Sequence, residues 1–329
     1  MDQLTLSFRF LLTLHLLASG VASTTFTLVN KCDYTVWPGI LSNAGVASLS
    51  TTGFVLQSGE SKTITAPTSW GGRFWGRTLC TQNVSTGRFS CVTGDCASGK
   101  LECAGNGATP PATLAEFTLN GAGGLDFFDV SLVDGYNVPM LVVPQGGSGD
   151  NCTATGCVGD LNGPCPSELR VTSVDGKQSV ACKSACEAFG SPQYCCSGAY
   201  GSPNTCKPSA YSLMFKNACP RAYSYAYDDK TSTFTCGSDA AYAITFCPSA
   251  NSNPSQKSWQ GQNPKPDGSG SGSSSASASP QLNNGTMVYV GAMDESGIPW
   301  SAGTHVWESN AIASIVSITV AIWLLCQLY

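Results

Sequence analysis

The sequence has 329 residues and a net charge of −5, and it contains 17 cysteines but only two histidines. No basic run is present in this acidic chain, so we expect no nucleic-acid partner. His15 and His305 lie near the two ends, which leaves residues 24–250 without a histidine. This excludes histidine-dependent hydrolysis and zinc sites from that stretch. No Walker or Rossmann phosphate loop is present either, so any chemistry must use carboxylates, and we expect no cofactor and no metal.

Residues 1–23 have the pattern of a cleavable signal peptide. Arg9 is followed by a mostly apolar run at residues 10–17 and then by small residues. Cleavage after Ala22 or Ser23 leaves small residues at positions −3 and −1, as signal peptidase requires. The apolar run is shorter than the ~20 residues of a membrane span. The pattern therefore directs the chain into the secretory pathway.

Short β-type runs separated by Gly, Asn, Asp and Pro follow, up to about residue 143. We predict strands within residues 24–29, 53–66, 112–120 and 125–133. Many short strands with regular turns are typical of a sandwich or a barrel-like core. A last strand is predicted at residues 240–246.

Residues 150–220 differ in composition, because nine cysteines lie between Cys152 and Cys219. This pattern predicts a lobe that is held by disulfides and has little core of its own. Two short helices are predicted within it, at residues 183–189 and 209–218. Sixteen cysteines lie between Cys32 and Cys247, and an even number in a secreted chain indicates a disulfide framework.

Residues 251–310 are predicted to be a flexible spacer, rich in Ser, Gly and Pro at its start. Acceptor sequons for N-glycosylation begin at Asn83, Asn151 and Asn284. The middle sequon contains a cysteine of the disulfide framework.

Residues 311–329 form a hydrophobic tail that attaches the chain to a membrane, either as a span or as a glycolipid-anchor signal. No Lys or Arg follows Lys265, whereas a span normally leaves basic residues on its cytoplasmic side. Small residues beginning at Ser301 and a polar spacer precede the tail, as in an anchor signal. The odd cysteine, Cys326, lies inside the segment that anchor attachment would remove. We therefore favour the anchor, with Ser301 as the attachment residue.

Residues 87–103, which include Gly87-Arg88-Phe89-Ser90-Cys91 and Gly94-Asp95-Cys96, closely resemble the signature of the thaumatin-like family of plant pathogenesis-related proteins. The resemblance extends over residues 24–248. It also rests on residues 24–32, 75–77, 114–117, 135–140, 194–196 and 246–248. The chain is thus identified as a member of this family with a C-terminal membrane-anchor extension.

The resemblance implies a mainly β fold, a flattened β-sandwich core with disulfide-rich loop lobes and short helices. It also implies eight disulfide pairs. These are Cys32–Cys247, Cys80–Cys91, Cys96–Cys103, Cys152–Cys236, Cys157–Cys219, Cys165–Cys182, Cys186–Cys195 and Cys196–Cys206.

The family has an acidic cleft, and the resemblance assigns it to Arg77, Glu116, Asp129, Asp134 and Asp228, with Asp229 equally placed for the last position. Within its strand, Glu116 lies on the face opposite Phe117 and should therefore leave the core. Asp129 and Asp134 are five residues apart and cannot share one face of a straight strand. Asp134-Gly135 is also a typical turn pair.

The resemblance implies defence against fungi at the extracellular face of the plasma membrane or in the cell wall, with β-1,3-glucan as the ligand. Aromatic residues of neighbouring segments, such as Tyr223, Tyr225, Tyr227 and Phe128, would assist binding or belong to the core. The alternative is an endo-β-1,3-glucanase with Glu116 as acid and Asp129 or Asp134 as the second carboxylate. A structural or developmental role at the cell wall is a third hypothesis.

Overall fold

Two β-sheets pack face to face in the computed structural model, which describes residues 23–237 and 239–249. The strands are β1 Ser23–Asn30, β2 Trp37–Ser42, β3 Ser61–Pro67, β4 Gly71–Gln82, β5 Phe89–Thr93, β6 Leu114–Thr118, β7 Leu125–Ser131, β8 Met140–Gln145, β9 Thr155–Cys157, β10 Arg170–Thr172, β11 Ser179–Cys182, β12 Phe234–Gly237 and β13 Ala241–Phe246. The helices are α1 Ala185–Phe189, α2 Pro192–Cys195, α3 Ala210–Ala218 and α4 Asp229–Ser232, with 3-10 turns at Ala122–Gly124 and Gly198–Tyr200.

The first sheet has five strands in the order β3-β1-β13-β8-β9, and β1 and β13 run parallel. The second has the order β12-β7-β6-β4-β2, and β5 pairs with the far end of β4. A separate hairpin, β10-β11, belongs to the lobe that carries α1 to α3. This arrangement is the mainly β sandwich with disulfide-rich lobes and short helices that the family resemblance implies.

The core between the two sheets is aromatic. Phe26 of β1 lies 4.8 Å from Phe74 of β4 and 4.7 Å from Phe117 of β6, measured between ring centroids. Tyr242 of β13 packs on Phe117 at 5.1 Å. Successive side chains of a strand point to opposite faces, so these inward rings leave the alternate positions of β4, β6 and β7 on the outer face of the second sheet.

Eight disulfides connect the described residues, and they join the same pairs that the resemblance implies. Cys32–Cys247 links the segment after β1 to the residue after β13, over a sequence separation of 215. Cys186–Cys195 and Cys196–Cys206 hold the helical lobe. Each crosslink limits the freedom of the unfolded chain and thereby stabilises the fold.

The predicted elements are found with shifted ends. Both predicted helices begin slightly later, because Ser184 and Ser209 are N-caps that accept hydrogen bonds from the backbone N–H groups of Glu187 and Ser212. The strand predicted at residues 53–66 is wrong in its first half. A turn through Gly59, with φ of 81°, separates that half from β3.

The signal-peptide residues 1–22, the spacer, the tail, Asn284 and Ser301 lie outside the described residues, and their roles stay predictions. None of the helices in residues 23–237 and 239–249 has the length and hydropathy of a membrane span. Asn83 lies in an exposed turn, where its side-chain oxygen accepts from the backbone N–H of Ser85. Asn151 is exposed as well, and its amide donates to the carbonyl of Thr233.

Candidate functional site

Charged side chains lie next to one another on the outer face of the second sheet. Arg73 of β4 is directly opposite Glu116 of β6, and Glu116 is directly opposite Asp129 of β7. Cβ atoms of such cross-strand neighbours are about 4.5–5.5 Å apart. Each of the three residues is adjacent in sequence to a phenylalanine that faces the core. The packing of the core therefore sets the positions of the charges, and the outward direction predicted for Glu116 is confirmed.

Asp134 joins this group through a turn. Strand β7 ends at Ser131, and the chain then reverses with Gly135 at a φ of 84°, where its N–H donates to the carbonyl of Leu132. The carbonyl of Asp134 accepts from the N–H of Ala112, which anchors the turn beside β6. Asp129 and Asp134 cannot share one face of a straight strand, but the turn brings Asp134 back to the side of the sheet where Glu116 and Arg73 lie.

Glu116 has an altered acidity. Burial raises its pKa from 4.5 to about 7, and the negative charge of Asp134 acts in the same direction. Arg73 opposes the rise through an ion pair of 3.8 Å between its Nη1 and Oε1 of Glu116. Desolvation prevails over the ion pair, so Glu116 exchanges its proton near neutral pH.

Burial and neighbouring charges also act on Asp129, which forms, with Arg73, Glu116 and Asp134, the group that we call the cleft. Burial raises its pKa well above the ordinary value, and the charges of Glu116 and Asp229 raise it further. Its Oδ2 atom is buried and has no hydrogen-bond partner among the described residues. Two neighbouring buried carboxyl groups do not both ionise readily, so we infer that Glu116 and Asp129 retain at least one proton below neutral pH.

The hydroxyl of Tyr223 connects the sheet to α4, where it donates to Oδ1 of Asp229 at 2.9 Å. The backbone of Tyr223 pairs with β7 beside Ser131. Asp229 therefore contributes to the electrostatic environment of Asp129.

Asp228, which the resemblance assigns to the cleft, is bonded to other residues than those of the cleft. Its Oδ2 forms an ion pair of 2.9 Å with Lys216 and accepts from the N–H and the hydroxyl of Ser224. Its Oδ1 accepts from Thr231. Through these contacts Asp228, which immediately precedes α4, links that helix to α3. Of the two neighbours, Asp229 is the carboxylate that acts on Asp129.

Arg77, the arginine that the resemblance assigns to the cleft, is buried within the fold. Arg77 has none of its surface exposed, and its guanidinium donates to the carbonyls of Trp37, Pro38 and Leu101. Burial lowers the pKa of Arg77 to about 10, and the carboxylates that oppose this change are Asp95 and Glu102. Arg73 is the arginine that the structure places beside Glu116.

Strand parity could not have separated the two arginines, because positions 73 and 77 share one face of β4. The distinguishing fact is which residue each arginine meets on the neighbouring strand, and this requires the register. Arg73 is opposite Glu116, whereas Arg77 is opposite Trp37 of β2. In the described part of the chain, no group of three or more His, Cys, Asp or Glu side chains is suited to hold a metal ion.

Comparison with known proteins assigns the family. The profile of the thaumatin family matches residues 30–248. The chain belongs to the thaumatin family. It is 61% identical to thaumatin-like protein 1 of Arabidopsis thaliana over 249 residues, which cover 74% of this chain and 93% of that protein.

Two further relatives of the thaumatin-family chain carry more specific names. Pathogenesis-related thaumatin-like protein 3.5 of Cryptomeria japonica is 60% identical over 228 residues, covering 69% of this chain and 91% of the relative. A protein of Prunus avium named glucan endo-1,3-beta-glucosidase is 54% identical over 229 residues, covering 70% of this chain and 92% of the relative.

The two arginines should respond differently to substitution. Arg77→Ala removes a fully buried guanidinium that donates three hydrogen bonds to backbone carbonyls, and we expect it to lower the free energy of unfolding by about 3 kcal/mol or more. Arg73→Ala removes a partly exposed ion pair, and we expect a loss of about 1 kcal/mol or less. Denaturant unfolding of both variants measures the difference. Equal losses would contradict the assignment of Arg77 to the fold and Arg73 to the cleft.

The raised pKa of Glu116 also predicts how stability depends on pH. Between the unfolded value of 4.5 and the folded value of about 7, the folded protein binds more protons than the unfolded chain. The contribution is therefore fully present below 4.5 and is lost as the pH rises through about 7. Relative to Glu116→Gln, we expect the wild type to lose up to roughly 3 kcal/mol across this window.

Urea unfolding at a series of pH values measures this loss. Glu60→Gln, an exposed substitution outside the cleft, is the matched control and should follow the wild type. A wild type and a Glu116→Gln variant with parallel pH profiles would show that burial does not raise the pKa of Glu116.

Proposed function

We propose that this protein is a secreted, cell-surface defence protein that binds β-1,3-glucan of the fungal cell wall through the cleft. The observation that carries the proposal is the group of Arg73, Glu116, Asp129 and Asp134 on the outer face of a rigid sheet. Polar groups fixed by strands and by a tight turn are preorganised, so binding a ligand costs little ordering of the protein.

The protonation of the cleft suits a neutral polysaccharide. A protonated carboxyl group both donates and accepts a hydrogen bond, as a sugar hydroxyl does. Below neutral pH the Glu116–Asp129 pair retains a proton and offers both functions, while Arg73 supplies further donors. Tyr223 is buried and belongs to the fold. Tyr225 and Tyr227, which precede α4, are only partly buried and offer aromatic surface in that segment.

Kinship supports the same ligand class. One relative has a name that refers to β-1,3-glucan and another has a name that refers to pathogenesis. Both align with this chain over more than nine-tenths of their own length. Transferring the ligand and the defence role to this chain is part of the proposal.

Secretion is supported by the disulfides, since such frameworks form and persist in oxidising compartments outside the cytosol. Attachment to the membrane through residues 311–329 remains a prediction from the sequence.

A second candidate function, hydrolysis of the glucan, is favoured by the pKa of about 7 for Glu116, which suits a general acid. The second carboxylate should be ionised and should flank the sugar bond. Asp129 is unsuited, because it is directly opposite Glu116 and its own pKa is raised. Asp134 fits better: burial raises its pKa too, but the positive charge of Arg73 opposes that rise. An enzyme would therefore use Glu116 as acid and Asp134 as base or nucleophile.

Incubation of the purified protein with insoluble β-1,3-glucan, with retention and released reducing ends measured separately, tests the proposal. We expect retention of the wild type and no reducing ends above background. Asp134→Asn should weaken retention roughly ten-fold, because a charged hydrogen-bond acceptor is lost. Glu60→Gln is the control and should be retained like the wild type.

Two results would change the conclusion. If the wild type is retained no better on β-1,3-glucan than on cellulose, the proposed ligand is wrong. If the wild type releases reducing ends, and Glu116→Gln abolishes this release while retention persists, the protein is a glucanase.

A further inference from the structure

Three aromatic rings form a cluster on the disulfide-rich lobe, outside the core of the sandwich. Phe189 ends α1, Tyr194 lies in α2 and Tyr211 lies in the first turn of α3. The ring centroid of Phe189 is 5.7 Å from that of Tyr194 and 5.3 Å from that of Tyr211. The two tyrosines are 6.0 Å apart and meet edge to face. We call these three residues the lobe aromatic cluster.

The cluster is held rigidly although its helices are short. Cys186–Cys195 joins α1 to α2, and Cys196–Cys206 fixes the chain immediately after α2. The hydroxyl of Tyr211 donates to Oε1 of Glu168 at 3.2 Å. Rings that are already fixed lose little conformational freedom when a ligand packs against them.

The cluster is open to solvent, which distinguishes it from the core. Phe189 has 43% of its surface exposed, whereas the phenylalanines between the sheets are buried. Tyr194 and Tyr211 are partly buried, and both rings contact the ring of Phe189. Phe189 therefore presents one exposed aromatic ring, held in place by two further rings, to a ligand that can pack on its face.

The cluster also lies close to the cleft. A Cβ atom built on Gly135 would be 2.6 Å from the carbonyl oxygen of Cys182 and 3.1 Å from the nitrogen of Ser184. The turn that carries Asp134 therefore packs against the start of α1, and Phe189 is the last residue of that helix. Five helical residues extend only about 7.5 Å. The pKa of Glu187 on the same helix is raised mainly by burial, and Lys183 opposes this rise. The charge of Asp134 also raises this pKa, which is consistent with the proximity of the turn to α1.

We infer that the lobe aromatic cluster is a second sugar-binding subsite, on which a pyranose ring of the glucan stacks while other sugars of the same chain occupy the cleft. This inference rests on the proposed function. One face of a pyranose ring is lined by C–H groups and packs on the flat face of an aromatic ring. The sugar hydroxyls at the ring edge meet the tyrosine hydroxyls and the carboxylate of Glu168.

A two-part site makes binding depend on chain length. A short oligosaccharide fills the cleft alone, whereas a longer chain also reaches the cluster. The second contact is then intramolecular, so it adds to the affinity of the long chain only. The subsite therefore predicts a variant that distinguishes long from short glucan chains.

Calorimetric titration with a β-1,3-glucan trisaccharide and with long soluble β-1,3-glucan tests the inference. Phe189→Ala and Phe189→Leu should weaken binding of the long chain roughly three- to ten-fold, because each removes the flat ring face. Binding of the trisaccharide should not change. Phe189→Tyr keeps the ring and should bind both ligands like the wild type. Tyr200→Ala, in which the lost ring is 38% exposed on the same lobe but outside the cluster, is the matched control.

The outcomes separate the subsite from the proposed function. If the wild type binds glucan and Phe189→Leu binds the long chain equally well, the subsite is refuted and the cleft proposal stands. Equal weakening of short and long chains would also refute it, because that result indicates a structural effect on the cleft. If the wild type binds neither ligand, the proposed function fails and the subsite fails with it. Thermal unfolding of each variant confirms that the lobe is folded, and Phe189→Leu keeps apolar bulk should Phe189→Ala unfold.

Discussion

The alternation of side chains along β4, β6 and β7 is the constraint on which the rest of the molecule depends. Each strand supplies one phenylalanine ring to the core, at Phe74, Phe117 and Phe128. The residue next to each ring points to the other face, and these neighbours are Arg73, Glu116 and Asp129. Because Phe117 is buried against Phe26 and Tyr242, Glu116 cannot turn away from Arg73 and Asp129 without a change of register. The same packing that stabilises the sandwich therefore keeps the carboxylates together.

Holding these groups together has an electrostatic consequence. One arginine at the edge of the group does not neutralise three carboxylates, and burial acts against the charged form of each of them. The raised pKa values mean that the carboxyl groups of the cleft keep protons to a higher pH than exposed carboxylates do. The cleft is therefore less negative near neutral pH than a count of its acidic residues suggests. This is the physical basis on which we propose a neutral polyhydroxyl ligand.

The sequence predicts the fold well and the cleft only in part. The outward direction of Glu116 follows from strand parity, but parity cannot choose between Arg73 and Arg77, which share one face of β4. Asp134 reaches the cleft through a turn at Gly135, whose φ is positive. The alternation of side chains along a strand does not predict the course of such a turn. The choice between Asp228 and Asp229 depends on Lys216, a contact from another helix that sequence spacing does not reveal.

Glu116 and Asp129 hold a proton between them because they are buried side by side. Carbon-13 NMR titration of the side-chain carboxyl groups measures this sharing. We expect Glu116 to titrate near pH 7, Asp129 to titrate well above its ordinary range, and each signal to respond to the ionisation of the other. Asp129→Asn should lower the pKa of Glu116. Independent titration of both groups near pH 4, the value of exposed carboxylates, would contradict this sharing.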